Sequence, residues 1–483
     1  MLFPTIDFAF FFLVVFTGSW LLRPHRVAWK LFILASSFFF YGYWFSERSN
    51  LPLASILAFT IVVNWAFGKA VFNAMTPEGG RTERSRWLVR AAVVVDLGVL
   101  GYFKYANFFL SSFTERLSSI GVHVSDPTIS VILPIGISFF TFQAISYVID
   151  IGRGVWREPV PLLDFAVYLS FFAHLIAGPI VRASEFVPQL EETADPRYVE
   201  TSEAFMLIFR GLFKKVVISS YMATIVDPVF ALPNSHSRWE VLWAIYAYAI
   251  QIYADFSGYT DMAIGIALLL GIRFPQNFDA PYRSLSVQDF WRRWHMTLSR
   301  WLRDYLYIPL GGNRGSEWFT FRNLFLTMVI GGLWHGANWT FVVWGALQGG
   351  FLVAERIVKD KWAERGPIGL PSQLVRALQW LLTFNFICFA WVFFRAPNFS
   401  DATDVIGRLF SGGGSATLIT PLLIIVVIAM LASQFVPERV PAQVTEKFAQ
   451  LAPVLQILAL GAGMVLIDAL GPEGIAPFIY FQF

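Results

Sequence analysis

The chain has 483 residues; 36 are Lys or Arg and 33 are Asp or Glu, so 14% are charged against 56% hydrophobic. Soluble globular domains carry about 25% charged residues, and the polar residues here are too few to cover the surfaces of a soluble chain this long. The same counts exclude a disordered or nucleic-acid-coating protein. The net charge of +3 is too small to imply an acidic polymer as partner, and the single cysteine, Cys388, excludes an internal disulfide and any cysteine-based metal cluster. The composition is that of an all-α polytopic integral membrane protein.

A bilayer crossing needs about 20 apolar residues. Such runs lie near residues 8–22, 28–45, 51–72, 87–110, 130–151, 161–181, 204–230, 239–271, 323–355, 374–395, 417–436 and 451–470. They predict about eleven to twelve transmembrane helices, with additional re-entrant or interfacial helices. The first run is not a cleavable signal, because Asp7 precedes it, no basic residue does, and no small-residue cleavage site follows. Positive charge follows the first, third and fifth runs at Arg23, Arg26 and Lys30, then at Lys69, Arg81, Arg84, Arg86 and Arg90, then at Arg153 and Arg157. The positive-inside rule therefore places the N-terminus outside. No internal repeat, low-complexity linker or detachable soluble domain interrupts the chain, which reads as a single membrane-embedded domain over residues 1–483.

Two stretches do not read as simple spans. Residues 161–182 end in Leu175-Ile176-Ala177-Gly178-Pro179-Ile180-Val181-Arg182, where Gly-Pro breaks a helix. Residues 323–355 are too long for one crossing and short for two, and are expected to be interrupted at Gly331-Gly332 and again at Gly336. Irregular backbone at membrane depth is tolerated only inside protein or beside a wet cavity. A pair of bent segments of this kind points to a lined cavity.

Between residues 273 and 322 stand eight arginines and no lysine, against four acids. This most cationic loop is placed in the cytoplasm. Phe290, Trp294, Leu298 and Leu302 recur at i+4 spacing, widened by Trp291, Trp301 and Tyr305, with Arg292, Arg293, Arg300 and Arg303 on the remainder. That pattern predicts one amphipathic helix, interface-seeking or re-entrant. Two uses for its arginines stand side by side. One is anchoring to lipid headgroups; the other is bidentate binding of the phosphates of a nucleotide-bearing donor. There is no Walker motif, so any phosphates are held by side chains.

The six histidines show no zinc-ligand spacing, and no metal site is expected. His335 lies in Gly331-Gly332-Leu333-Trp334-His335-Gly336-Ala337-Asn338-Trp339, inside an apolar run. An ionisable residue at membrane depth is a functional candidate, and an apolar setting favours a neutral ring able to accept a proton. Asn338, three residues on, is expected to share a helical face with His335 and orient it. A packed histidine satisfied by a carbonyl is the competing reading. His295 stands among arginines in Trp291-Arg292-Arg293-Trp294-His295. Tyr253, Asp255, Tyr259 and Asp261 form a polar cluster inside the 239–271 run. They suit an ion path, the lining of a chamber, or helix-to-helix hydrogen bonding.

At these residues the sequence resembles the membrane-bound O-acyltransferase family, in its bacterial alginate and exopolysaccharide O-acetylation branch. The resemblance begins at Leu133-Pro134-Ile135-Gly136-Ile137-Ser138-Phe139-Phe140-Thr141-Phe142-Gln143. It continues through Ala177-Gly178-Pro179-Ile180 and Tyr253-Ala254-Asp255-Phe256-Ser257-Gly258-Tyr259-Thr260-Asp261. It is strongest from Asp289 to Gly312 and closes with Trp334-His335-Gly336-Ala337-Asn338-Trp339. These blocks cover about residues 130–350. The resemblance implies a helical catalytic chamber in the bacterial cytoplasmic (inner) membrane, with a cytoplasmic entrance for acetyl-CoA as co-substrate and no permanently bound cofactor. His335 matches the family's membrane-embedded catalytic histidine. His295 matches a second site where many relatives that acylate lipids or proteins carry Asn. Trp334 and the 253–261 cluster become chamber lining. An exported esterase-like partner and an indirect polysaccharide acceptor are implied as well, with membrane lipids around the chain and no nucleic acid.

The chemistry asks for a base that deprotonates the acceptor hydroxyl and later protonates the leaving thiolate. His335 suits that role, with His295 or Asn338 orienting it or binding the developing oxyanion. Arg292, Arg293, Arg300 and Arg303 are candidates for the donor's phosphates. The chain ends Pro477-Phe478-Ile479-Tyr480-Phe481-Gln482-Phe483. That tail resembles the C-terminal aromatic motif of the small partners of related D-alanylating acyltransferases, which makes Tyr480 a candidate acyl carrier; interfacial anchoring is the simpler reading. Two other functions remain open on sequence: an acyltransferase acting on a lipid or lipoprotein, and a proton-coupled secondary transporter using His335, Asp255 and Asp261.

Overall fold

The structure, a computed structural model, describes residues 1–46, 52–122, 131, 133–192, 194–365, 371–411, 413–472, 474 and 477–479. Every regular element among them is helical. They fall into two compact units, one of residues 1–204 with 263–275 and one of residues 205–262 with 276–483.

The first unit contains α1 (Ile6–Leu22), α2 (Arg26–Ser46), α3 (Pro52–Asn73), α4 (Glu83–Ser119) and α5 (Ile137–Gly152). Phe3, Phe8, Phe11, Phe40 and Phe172 form its aromatic core near the N-terminus, with ring centroids 4.8–6.4 Å apart. Two polar pairs lie inside it: Asn64 donates to Asp96 at 2.8 Å, and Lys30 meets Asp164 at 2.5 Å. The sixth run is broken, but earlier than at the expected Gly178-Pro179. α6 (Leu162–Ser170) stops at Phe171, a short turn α7 (Phe172–Leu175) follows, and an irregular stretch leads to α8 (Ala183–Glu191). This bent backbone is wholly buried in protein, and Tyr168 Oη donates to the Val181 carbonyl at 2.9 Å. The helix ends before Gly178, whose added Cβ would overlap the backbone of His174. Close approach of the chain to itself accounts for that glycine.

α9 (Thr201–Leu212) continues through a π turn (Phe213–Ser219) into α10 (Ser220–Ala231), and α11 (Arg238–Leu269) follows. In the second unit the predicted amphipathic helix is not one helix. α12 (Val287–Arg293) and α13 (Met296–Leu302) are separated at Trp294 and His295, and a π turn (Arg303–Tyr307) closes the segment. The reason is His295, which adopts φ 43°, ψ 54°, a left-handed conformation no α-helix tolerates. The apolar stripe Phe290, Trp294, Leu298, Trp301, Leu302 and Tyr305 is buried in protein rather than laid on lipid.

The 323–355 run also resolves differently. α14 (Glu317–His335) and α15 (Trp339–Arg365) extend beyond both ends of the run and form a full hairpin, broken only at Gly336–Asn338. Gly331 and Gly332 lie inside α14 and do not interrupt it. Their job is contact: a Cβ on Gly332 would overlap the Phe341 carbonyl and stand 3.1 Å from Gly345 Cα, and one on Gly345 would overlap the Met328 carbonyl. Small residues let membrane helices approach this closely.

α16 (Ser372–Arg395), α17 (Phe399–Ser411), α18 (Pro421–Ser433), α19 (Arg439–Ala449) and α20 (Pro453–Leu470) complete the chain. Among the described residues, five helices are long and apolar enough to cross a membrane: 53–73, 83–119, 339–361, 372–395 and 453–470. Ile6–Leu22, Ile137–Gly152 and Pro421–Ser433 are shorter apolar helices. Gly332→Ala is expected to destabilise the α14–α15 hairpin by about 1–3 kcal/mol through overpacking, read as a lower melting temperature of the full chain in detergent. Unchanged stability would show that the two helices do not depend on this contact.

Candidate functional site

His335 is the last residue of α14, and the residue is 5% exposed. Aromatic rings surround it: Trp334 at 5.0 Å, Trp344 edge-on at 5.1 Å and Phe394 at 5.3 Å. Trp344 in turn stacks on Trp391 at 5.8 Å. The backbone leaves the helix in extended form at Gly336, where a Cβ would overlap the Phe341 ring. Asn338 therefore does not share a helical face with His335, contrary to expectation, because the helix has already ended. It opens α15 instead: its Oδ1 accepts the Thr340 N–H at 3.0 Å and its Nδ2 donates to the Pro397 carbonyl at 2.6 Å. Both ends of that amide serve the hairpin turn.

His295 is fully buried. Its Nδ1 lies 3.2 Å from Asn277 Oδ1, which also accepts the Thr297 N–H at 3.1 Å and the Thr297 hydroxyl at 2.9 Å. Two backbone bonds brace the same corner, from Met296 N–H to the Asn277 carbonyl and from Asp279 N–H to the Arg293 carbonyl, each 2.9 Å. A left-handed conformation costs a non-glycine residue about 1–2 kcal/mol, and this bracing holds it. Such outliers gather at functional sites. The ring of His295 meets Phe256 edge-on at 4.7 Å and Trp334 at 6.3 Å. Trp334 thus touches both histidines, and the two predicted catalytic rings are brought to one place.

The polar cluster on α11 is not a row of free acids. Asp261 takes Arg210 through two bonds of 2.9 and 2.7 Å and Lys214 Nζ at 2.5 Å. Asp255 pairs with Lys215 and accepts the Ile479 N–H at 2.8 Å. Tyr253 receives Lys214 Nζ over its ring at 5.5 Å, and Tyr259 packs on Phe478 at 4.9 Å. Lys214 and Lys215 lie inside the 204–230 run and were not singled out as candidates in the sequence. The π turn carries both into buried positions. Asn277 and Glu355 were also missed. Glu355, far along α15, caps α12 by accepting the Val287 and Gln288 N–H groups at 2.5 and 3.1 Å.

The arginines divide. Arg293 is held by Asp289 at 3.1 Å and Asp279 at 2.7 Å, and Arg303 by Asp304 at 2.6 Å. Arg292 is exposed and Arg300 half-buried. Tyr480 and residues 481–483 lie outside the described residues; immediately before them, Phe478 and Ile479 are buried in the second unit rather than spread at an interface. Among the described residues no group of three His, Cys, Asp or Glu is placed to hold a metal ion.

The molecule is therefore an all-α membrane protein with two buried histidines facing one tryptophan. Residues 155–396 match the model of the membrane-bound O-acyltransferase family. A protein of Azotobacter vinelandii named "Probable alginate O-acetylase" is 40% identical over the whole of both chains. The peptidoglycan O-acetyltransferase of Helicobacter pylori is 39% identical over 84% of this chain and 79% of its own. A teichoic acid D-alanyltransferase of Bacillus subtilis is 28% identical over 60% of this chain and 75% of its own. The chain belongs to the membrane-bound O-acyltransferase family. It is a multi-pass membrane O-acyltransferase, and the transporter reading is set aside.

Asn277→Ala removes the shared acceptor of three contacts and is expected to destabilise the His295 corner by about 1–3 kcal/mol. Faster local hydrogen exchange across residues 293–298 would show it. Unchanged exchange there would mean that the backbone bonds alone fix His295.

Proposed function

We propose that this enzyme takes acetyl groups from cytoplasmic acetyl-CoA and passes them across the bacterial inner membrane for O-acetylation of an exported polysaccharide. The observation that carries the reading is a line of ring contacts in the second unit. It runs from His335 to Trp334, His295, Phe256 and Phe478, two residues before Tyr480. The acceptor class follows the relatives' names, which refer to alginate, peptidoglycan and teichoic acid. Three polymers named there favour a glycan or related polymer over a lipid or lipoprotein.

In this reading His335, as a neutral imidazole, takes the proton of the acceptor hydroxyl. The freed oxygen attacks the thioester carbonyl and the new C–O bond forms. The C–S bond then breaks and the thiolate of CoA leaves with the proton from His335. His295, fixed by Asn277, faces the oxyanion or steadies the acceptor. Asn338 acts at a distance, by setting the turn that ends α14. The first acceptor is the phenol of Tyr480. With an ordinary pKa of about 10, a phenol leaves more readily than an alkyl alcohol, so acetyl-tyrosine stays activated for an exported esterase-like partner to collect. The N-terminus faces out and the arginine-rich loop faces the cytoplasm. Arg292, Arg293, Arg300 and Arg303 surround the donor's phosphates, with Arg293 and Arg303 already oriented by carboxylates.

His335→Ala is expected to leave insertion and folding intact and to abolish turnover of acetyl-CoA in the purified enzyme. Tyr480→Phe, which keeps the ring and removes the acceptor oxygen, is expected to stop polymer acetylation in cells at normal protein levels. Near-wild-type turnover in the first would remove His335 as base, and normal acetylation in the second would remove Tyr480 as carrier.

The arginines separate by their partners. Arg292→Gln is expected to raise the KM for acetyl-CoA and weaken its salt sensitivity with kcat held, whereas Arg293→Gln breaks two ion pairs and lowers stability. An unchanged KM in Arg292→Gln would leave this residue a lipid-headgroup anchor.

A further inference from the structure

The C-terminal segment is held by a buried charge. Asp255, on α11, is 2% exposed. Its Oδ1 takes the Lys215 ammonium and, at 3.4 Å, the Ser219 hydroxyl; its Oδ2 accepts the Ile479 N–H at 2.8 Å. Beside that bond Phe478 is fully buried, with its ring 4.9 Å from Tyr259 and 6.0 Å from Phe256. Asp255 and Tyr259 are four residues apart and so share a face of α11. One face thus grips two consecutive tail residues, by a carboxylate and by a ring.

A buried ion pair contributes little stability over apolar residues of the same shape, because taking both charges out of water is costly. Its presence here calls for another use. A buried backbone N–H needs an acceptor, and an ionised carboxylate is a stronger one than a neutral group. Lys215, delivered by the π turn, neutralises Asp255 through one oxygen and leaves the other for the tail.

We propose that Lys215 and Asp255 are positioning residues that clamp the C-terminal segment at Ile479 and fix the point from which residue 480 departs. The clamp stands on its own geometry; its role in acyl transfer rests on the reading of Tyr480 as carrier.

The test compares two double variants of the full chain in lipid nanodiscs. Lys215→Met with Asp255→Leu removes both charges and the acceptor while keeping apolar volume. Lys215→Met with Asp255→Asn removes the charges and keeps a carbonyl for the Ile479 N–H. Hydrogen exchange of the C-terminal peptide and acetyl transfer from acetyl-CoA are measured for each. The Leu variant should exchange at Ile479 about tenfold or more faster than wild type and lose transfer, and the Asn variant should recover most of both. Wild-type protection in the Leu variant would overturn the clamp. A released tail with undiminished transfer would overturn its positioning role. A released tail with lost transfer, alongside normal transfer in Tyr480→Phe, would leave the clamp standing and reject Tyr480 as carrier.

Discussion

A helix that ends within an apolar interior leaves backbone groups that only protein can satisfy, and the position of His335 depends on how that is managed at the end of α14. Gly336 turns the chain out of the helix in a space that admits no side chain. Asn338 then starts the next helix and ties the turn to Pro397. Glycines at 332 and 345 let the two helices lie against each other. The outcome is a histidine at a helix terminus, ringed by Trp334, Trp344 and Phe394. Each of these features supports one arrangement, a buried imidazole at a helix end enclosed by aromatic rings.

A second constraint works through charge. Lys214, Lys215, Asp255 and Asp261 all lie inside the protein, where unpaired ions are prohibitively costly. Pairing them joins the π turn after α9 to α11, and the one remaining oxygen of Asp255 reaches the tail. Packing and electrostatics thereby converge on the same helix. Phe256 meets His295, while Asp255 and Tyr259 hold the segment that precedes Tyr480. Contact with His295 and placement of the tail are consequently two uses of one stretch of α11.

The helical class and the membrane character were legible in the apolar runs, and His335 was legible as a titratable group among glycines. A break within 161–182 was legible from Gly178-Pro179, but its place was not, since α6 already stops at Phe171. What escaped the sequence depended on contacts distant along the chain. The i+4 stripe from Phe290 to Leu302 promised one helix, but the left-handed His295, braced by Asn277, divides it. Gly331 and Gly332 looked like breaks and proved to be contact surfaces, because glycine marks close approach as readily as a turn. Lys214 and Lys215 stand inside the 204–230 run, but nothing local tells a reader that a π turn will bury both against Asp255 and Asp261. α17 and α19 carry too much charge to register as apolar runs. Tyr480, the boldest of the site residues, lies outside the described residues and rests on its motif and on the burial of its neighbours.

The central claim is that His335 transfers acetyl from its thioester to a hydroxyl within the membrane-embedded unit. Rapid-quench mass spectrometry of the purified full chain mixed with acetyl-CoA tests it most directly. The account predicts a single acetyl group on the C-terminal peptide that holds Tyr480, present in the wild type and absent from His335→Ala. Acetylation of that peptide at an undiminished rate in His335→Ala would contradict it.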